Sequence, residues 1–152
     1  MARVEYSYKP EDETKAVKAM GYEMPVSFKY AMEICRVLRG KKIPQAMKFL
    51  EEVVELRTPV PLRKHKKKVA HKNISKWYAG RYPKKTASYI LKVLKNLKAN
   101  AEYKGLNAEE LVIVHAQAKM GRKIVRYTPR AFGRAVPKRK QLTTIEFVAE
   151  VK

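Results

Sequence analysis

The chain has 152 residues, 45% of them hydrophobic, which suits one domain with a core and excludes global disorder. Its formal net charge is +21, from 35 Lys plus Arg against 14 Asp plus Glu, and such a charge opposes compaction unless a polyanion neutralises it. No apolar run approaches the about 20 residues that span a bilayer, the start, Met1 to Pro10, lacks the apolar centre of a signal peptide, and a lone cysteine, Cys35, excludes an internal disulfide framework. The expectation is a single cytoplasmic domain over residues 1–152 with nucleic acid, not membrane, as its partner.

Met1 to Gly21 is polar without a sustained period and reads as an arm or a partial strand. Ser27 suits the N-cap of a first helix, Phe28 to Arg39, in which Phe28, Ala31, Met32, Cys35 and Leu38 share one face. Cys35 lies on that face and is expected to be a packed core thiol. Gly40 follows as a C-terminal stop. Pro44 opens a second helix, with Ala46, Met47, Leu50, Val53 and Val54 at helical spacing. The prolines Pro59 and Pro61 end it.

Leu62 to Lys85 has no clear period and mixes Lys and Arg with His65, His71, Trp77, Tyr78 and Tyr82. Two readings stand for Trp77 and Tyr78: they stack on irregular RNA, or they plug the edge of the core. Thr86 or Ser88 starts a third helix to about Tyr103, with Ala87, Ile90, Leu91, Leu94, Leu97 and Ala101 as its buried stripe. Lys92, Lys95 and Lys98 lie off that stripe.

From Leu111 a β-branched run favours strand, and Thr144 to Val151 reads as a second strand. Between them Lys119 to Thr143 is basic and poor in core residues. A long hairpin follows, with its extended part at 117–144. With about 12 residues per arm at roughly 3.3 Å each, it projects about 40 Å. An isolated two-stranded ribbon is marginal in water, so Arg126 to Lys140 is expected to be poorly ordered without a partner.

The charge is segregated. No acid occurs between Leu56 and Ala101, where Arg57, Arg63, Lys64, Lys66, Lys67, Lys68, Lys72, Lys76, Arg81, Lys84 and Lys85 fall. None occurs between Leu111 and Ile145, which holds Lys119, Arg122, Lys123, Arg126, Arg130, Arg134, Lys138, Arg139 and Lys140. A merely soluble protein intersperses its signs. Two acid-free zones mark surfaces that face phosphate, and these residues with Trp77 are the expected RNA contacts.

Three segments resemble one family. The helix, turn and start of a second helix Ala31-Met32-Glu33-Ile34-Cys35-Arg36-Val37-Leu38-Arg39-Gly40-Lys41-Lys42-Ile43-Pro44-Gln45-Ala46, the tip Pro129-Arg130-Ala131-Phe132-Gly133-Arg134-Ala135 and the closing strand from Thr144 are similar to those of large-subunit ribosomal protein twenty-two. The resemblance covers about residues 20 to 152. It implies an α+β fold, with three helices packed on a small antiparallel sheet that extends into a protruding β-hairpin. It implies a structural constituent of the large ribosomal subunit that binds large-subunit rRNA and organises its folding. Its tip, Pro129 to Ala135, would line the peptide exit tunnel beside the nascent peptide. Neighbouring large-subunit proteins are the other partners implied; a homo-oligomer and a cofactor are not. Phe132 stands where bacterial members commonly carry a basic residue, and those members lack most of a basic insertion at 57–85. The insertion and the N-terminal arm at 1–21 resemble the archaeal and eukaryotic form.

Enzymatic readings find little in the sequence. His65 and His71 have no second cysteine for a zinc site. Asp12 is the lone aspartate, which argues against most carboxylate triads. Glu51, Glu52 and Glu55 read as a solvated helix face. Gly80 to Thr86 lacks the Gly-Lys-Thr ending of a phosphate loop. A general DNA-compacting protein shares the charge but gives no reason for so long a hairpin.

Overall fold

Helical and strand periods in the sequence become three helices and six strands in the computed structural model, which describes residues 5–151. Met1 to Val4 of the expected arm lie outside the described residues. In chain order the elements are β1 (Ala16–Met24), α1 (Phe28–Leu38), α2 (Ile43–Val54), β2 (Val60–Pro61), β3 (His71–Ile74), β4 (Trp77–Arg81), α3 (Lys84–Tyr103), β5 (Leu111–Pro129) and β6 (Ala135–Val151). The fold is α+β with a long antiparallel hairpin, β5–β6. The sheet is not single: β1-β6-β5 forms one and β2-β4-β3 a second, smaller one.

The three helices bury the stripes their periodicity defines. Ile90, Leu94, Leu97 and Ala101 of α3 are fully buried, as are Ala46, Leu50 and Val53 of α2. On α1 the buried set is Ala31, Glu33, Ile34, Cys35 and Leu38, so Ile34 and Glu33 replace Phe28 and Met32, which are half-buried. Burial pushes the Cys35 thiol up to about 12, which fits an inert core thiol. Ser27 takes the N-cap position with extended backbone but makes no side-chain cap hydrogen bond. Gly40 stops α1 at φ +78, a conformation that costs glycine nothing. α3 begins at Lys84, ahead of the expected Thr86 or Ser88.

The end of the expected arm, from Ala16, is a strand. β1 pairs antiparallel with β6 from Ala16 opposite Glu150 to Met24 opposite Thr143. Its alternation is masked in sequence by small and polar residues such as Lys18 and Gly21. The aperiodic stretch from Leu62 holds β3 and β4, which meet at Ile74 opposite Trp77. These strands are short and polar, and strands of this length leave little periodic signal.

β6 is the middle strand of the larger sheet, and residues 142–149 are buried throughout. Ile145, Phe147 and Ala149 face the helices and join the core. Glu146 and Val148 point the other way, because side chains alternate along a strand. Beyond this root, β5 and β6 stay paired to Pro129 opposite Ala135. The exposed edge of β5 is covered near its start. The Gly40 N–H donates to the Ile113 carbonyl at 2.8 Å, and the Ile113 N–H donates to the Lys41 carbonyl at 2.9 Å. The turn after α1 thus acts as a short additional strand.

Phe147→Ala is expected to cost about 3–5 kcal/mol of stability in urea unfolding, since it empties a fully buried site. Phe132→Ala, at a residue 95% exposed, is expected to change stability by less than about 0.5 kcal/mol. Similar losses from both would contradict the placement of the core.

Candidate nucleic-acid interface

The basic surface has three parts, and each is positioned by buried contacts. The first is the segment around β2, β3 and β4. Glu33 on α1 is almost fully buried, and its carboxylate accepts the backbone N–H groups of Arg63 at 3.2 Å and Lys64 at 2.6 Å. The same carboxylate pairs with Arg36 at 3.3 Å. A buried acid therefore holds the start of a loop whose Lys64, Lys66, Lys67 and Lys68 side chains are exposed. His65 and Lys68 turn the loop with φ of 52° and 56°.

Trp77 is half-buried and its indole N–H donates to the Leu62 carbonyl at 3.0 Å. Its ring stacks on Tyr78 at 5.2 Å with a 22° interplanar angle. The Lys66 ammonium lies 5.0 Å from the Trp77 ring centre and 5.3 Å from that of Tyr78, and the Arg63 guanidinium lies 5.9 Å from Trp77. Trp77 thus braces the small sheet while sitting beneath cations. Lys72 lies 5.5 Å over Tyr82. Lys76 occupies the turn between β3 and β4 with φ 57°, and Arg81 is half-buried opposite Val60. Arg57 is exposed and pairs with Glu55 at 3.0 Å.

The second part is α3. Lys84 and Lys85 are exposed in its first turn, which contains no acid. Cations at the positive end of a helix dipole are unfavourable by roughly 0.3–1 kcal/mol unless an anion sits there. Lys92 and Lys95 are exposed further along, whereas Lys98 faces Glu102 at 3.9 Å.

The third part is the hairpin. Lys123, Arg126, Arg130, Arg134, Lys138, Arg139 and Lys140 are all exposed, and none forms an ion pair among the described residues. Arg126 stands directly opposite Lys138, a like-charge cross-strand pair that destabilises a free ribbon. At the tip Phe132 and Gly133 both have positive φ, 59° and 65°. Gly133 adopts this freely; for Phe132 it is a strained conformation that leaves the ring 95% exposed. Pro129, Arg130, Ala131, Arg134 and Ala135 are exposed around it.

Lys119 and Arg122 are placed differently from the other hairpin cations. The Lys119 ammonium pairs with Glu146 at 2.8 Å, and Arg122 pairs with Glu23 at 3.3 Å. Glu146 is fully buried in mid-β6. It also meets the His115 Nε2 at 2.9 Å and accepts the Ser7 backbone N–H at 3.2 Å. Burial alone raises its carboxyl pKa; the Lys119, His115 and Ser7 hydrogen bonds outweigh that and hold it below the ordinary glutamate value. Tyr8 stacks on the His115 ring at 5.3 Å, and Lys119 donates to the Glu5 carbonyl at 3.1 Å. The segment before β1 therefore crosses the face of the sheet opposite the helices. The Arg39 Nε fixes β5 from the other side, donating to the Ala116 carbonyl at 2.9 Å.

Sequence reasoning passed over Glu33, Glu146 and Arg39. Only Glu146 carried a signal, because it interrupts the apolar run of β6; Glu33 lies off the apolar stripe of α1. Among the described residues there is no group of metal-ligating side chains, and no helix is long and apolar enough to cross a membrane.

This fold and this charge define a class: a basic α+β protein with a projecting cationic ribbon. Residues 19–150 match the family model described as Ribosomal protein L22p/L17e. A "Large ribosomal subunit protein uL22" of Archaeoglobus fulgidus is 69% identical over 100% of this chain and 99% of its own length. One of the same name from Methanocaldococcus jannaschii is 48% identical over 99% of this chain and 96% of its own. The chain belongs to the Ribosomal protein L22p/L17e family, and these relatives are archaeal, as the resemblance implied.

Glu146→Gln is expected to lose about 1–2 kcal/mol of stability at neutral pH, because the half-buried Lys119 ammonium loses the charge it pairs with. The carboxyl pKa is lowered in the folded chain, so its contribution is present above the unfolded value near about 4.3 and lost as pH falls through the folded value. Wild-type stability should therefore drop more steeply than that of the variant below about pH 4.5. Parallel pH profiles in denaturant titrations would remove Glu146 as the stabilising group.

Proposed function

We propose that this chain binds large-subunit rRNA and lines the peptide exit tunnel with its hairpin tip. It is a structural, non-enzymatic ribosomal protein of the large subunit, ribosome-bound in the cytoplasm. In this reading, one domain of 152 residues divides its contacts. The insertion at 57–85 and the first turn of α3 hold the globular part against RNA. The extended hairpin at 117–144 threads between RNA segments. The arm at 1–21 backs the root of the hairpin. Neighbouring large-subunit proteins pack around the domain, which acts as a single copy, and the nascent peptide passes the tip.

One observation carries the reading. The hairpin places Arg126, Arg130, Arg134, Lys138 and Lys140 on a ribbon with no acid and no ion pair among the described residues. Such a ribbon is stabilised by a polyanion, through phosphate neutralisation and counterion release. Arginine adds bidentate geometry that can bridge two phosphates on separate strands. Small Ala131 and Ala135 beside Gly133 let RNA approach closely at the tip.

Ribosomes washed at high salt are expected to retain the chain on the large subunit; recovery with the DNA fraction would refute the rRNA reading. Arg130→Glu with Arg134→Glu is expected to lower its occupancy in large subunits about tenfold, equivalent to about 1.4 kcal/mol. Unchanged occupancy would remove the bridging role. A photo-crosslinking side chain at position 132 should capture the nascent peptide, and capture of rRNA alone would remove the tunnel-lining role.

A further inference from the structure

Directly opposed residues in an antiparallel ribbon share a face, and successive residues alternate. Beyond the root the register pairs Ile124 with Lys140, Arg126 with Lys138 and Thr128 with Val136 on one face. The other face pairs Lys123 with Gln141, Val125 with Arg139, Tyr127 with Pro137 and Pro129 with Ala135. The charge of the ribbon is therefore uneven around it, with Lys123 and Arg139 the cations of this second face. Arg126, Lys138 and Lys140 converge on the first face, where like charges stand opposite each other. Between Lys123 and Arg139 at one end and the tip, the second face carries apolar groups, with Tyr127 71% and Val125 46% exposed.

Shape agrees with charge. Two shallow clefts open along the ribbon, lined mostly by residues of the first face. One is lined by Ile124, Arg126, Lys138, Arg139 and Lys140, and the other by Thr128, Arg130, Val136, Pro137 and Lys138. Lys138 belongs to both. A concave strip with cations spaced along it fits a phosphate backbone, and the opposite face offers rings and methyl groups.

A bulge explains how the ribbon comes to be sided. Gly121 and Arg122 sit where the register shifts between Met120 and Lys123. A Cβ at Gly121 would approach the Leu142 carbonyl to 3.2 Å, so the close approach favours glycine. β6 runs through without such a shift there, so its residues carry the facing outward. Lys138 and Lys140 continue the side of Glu146 and Val148; Pro137 and Arg139 continue the helix-packed side of Ile145 and Phe147.

We propose that the hairpin is two-faced: the face of Arg126, Lys138 and Lys140 takes the RNA phosphates, and the face of Val125, Tyr127 and Pro137 is turned from them. This rests on the RNA-binding reading above and assigns a side to it. Two full-length variants separate the faces. One carries Arg126→Gln, Lys138→Gln and Lys140→Gln; the other carries Lys123→Gln and Arg139→Gln. Binding to transcribed large-subunit rRNA is measured across a salt series, with circular dichroism as the check on folding. All five positions are exposed, so both variants should fold as the parent does.

The logarithm of affinity falls with the logarithm of salt by about 0.7–0.9 per phosphate contact. The first variant is expected to lose about 2–3 from that slope, and the second less than about 1. Equal loss per charge from the two faces would overturn the inference while leaving RNA binding intact. Absence of wild-type binding would overturn the RNA reading, and this assignment with it.

Discussion

Everything that projects from this domain hangs on one strand buried from both sides. Residues 142–149 of β6 are closed off by the helices on one face and by the segment before β1 on the other. A two-stranded ribbon cannot stabilise itself in water. Here its root borrows the core: Ile145 and Phe147 each contribute about 1.5–3 kcal/mol of apolar burial. Pairing with β1 along one edge and with β5 along the other leaves β6 no free backbone at the root. Beyond Lys123 the ribbon is two paired strands alone, with residues 125–140 exposed.

The same root sorts the charges. Acids near the hairpin are engaged there: Glu146 with Lys119 and His115, and Glu23 with Arg122. Glu33 does the same work for the loop at Arg63 and Lys64. Each acid fixes backbone or a nearby cation, so each rigidifies a base from which other cations extend. Among the described residues the distal cations have no ion-pair partner.

Much of this was legible in the sequence, and what was not has a common cause. The helices showed through their apolar spacing, since Ala46, Leu50 and Val53 on α2 and Ile90, Leu94 and Leu97 on α3 repeat at the helical period. The hairpin showed through its β-branched arms, and the turn at Gly40 through a motif whose glycine has to adopt positive φ. β1 was hidden because Lys18 and Gly21 dilute its alternation, and β3 because His71 and Lys72 look like loop. Glu33 lies off the apolar stripe of α1, and Glu146 interrupts an apolar run without showing what would pair with it. Their burial is a tertiary fact, made tolerable by donors that lie up to 139 residues away in the chain, as with Ser7 and Glu146. Trp77 had two open readings; the structure gives its N–H a structural partner and still leaves cations over its ring. Phe132 at positive φ had no signal at all.

The central claim is that a rigid root carries a ribbon whose order depends on RNA. Amide hydrogen exchange, compared between the free chain and the chain in purified large subunits, tests it most directly. The account predicts slow exchange at residues 142–149 in both states. It predicts fast exchange at residues 124–140 in the free chain and protection of the same amides in the subunit. Equal protection of root and ribbon in the free chain, or a ribbon left unprotected in the subunit, would contradict it.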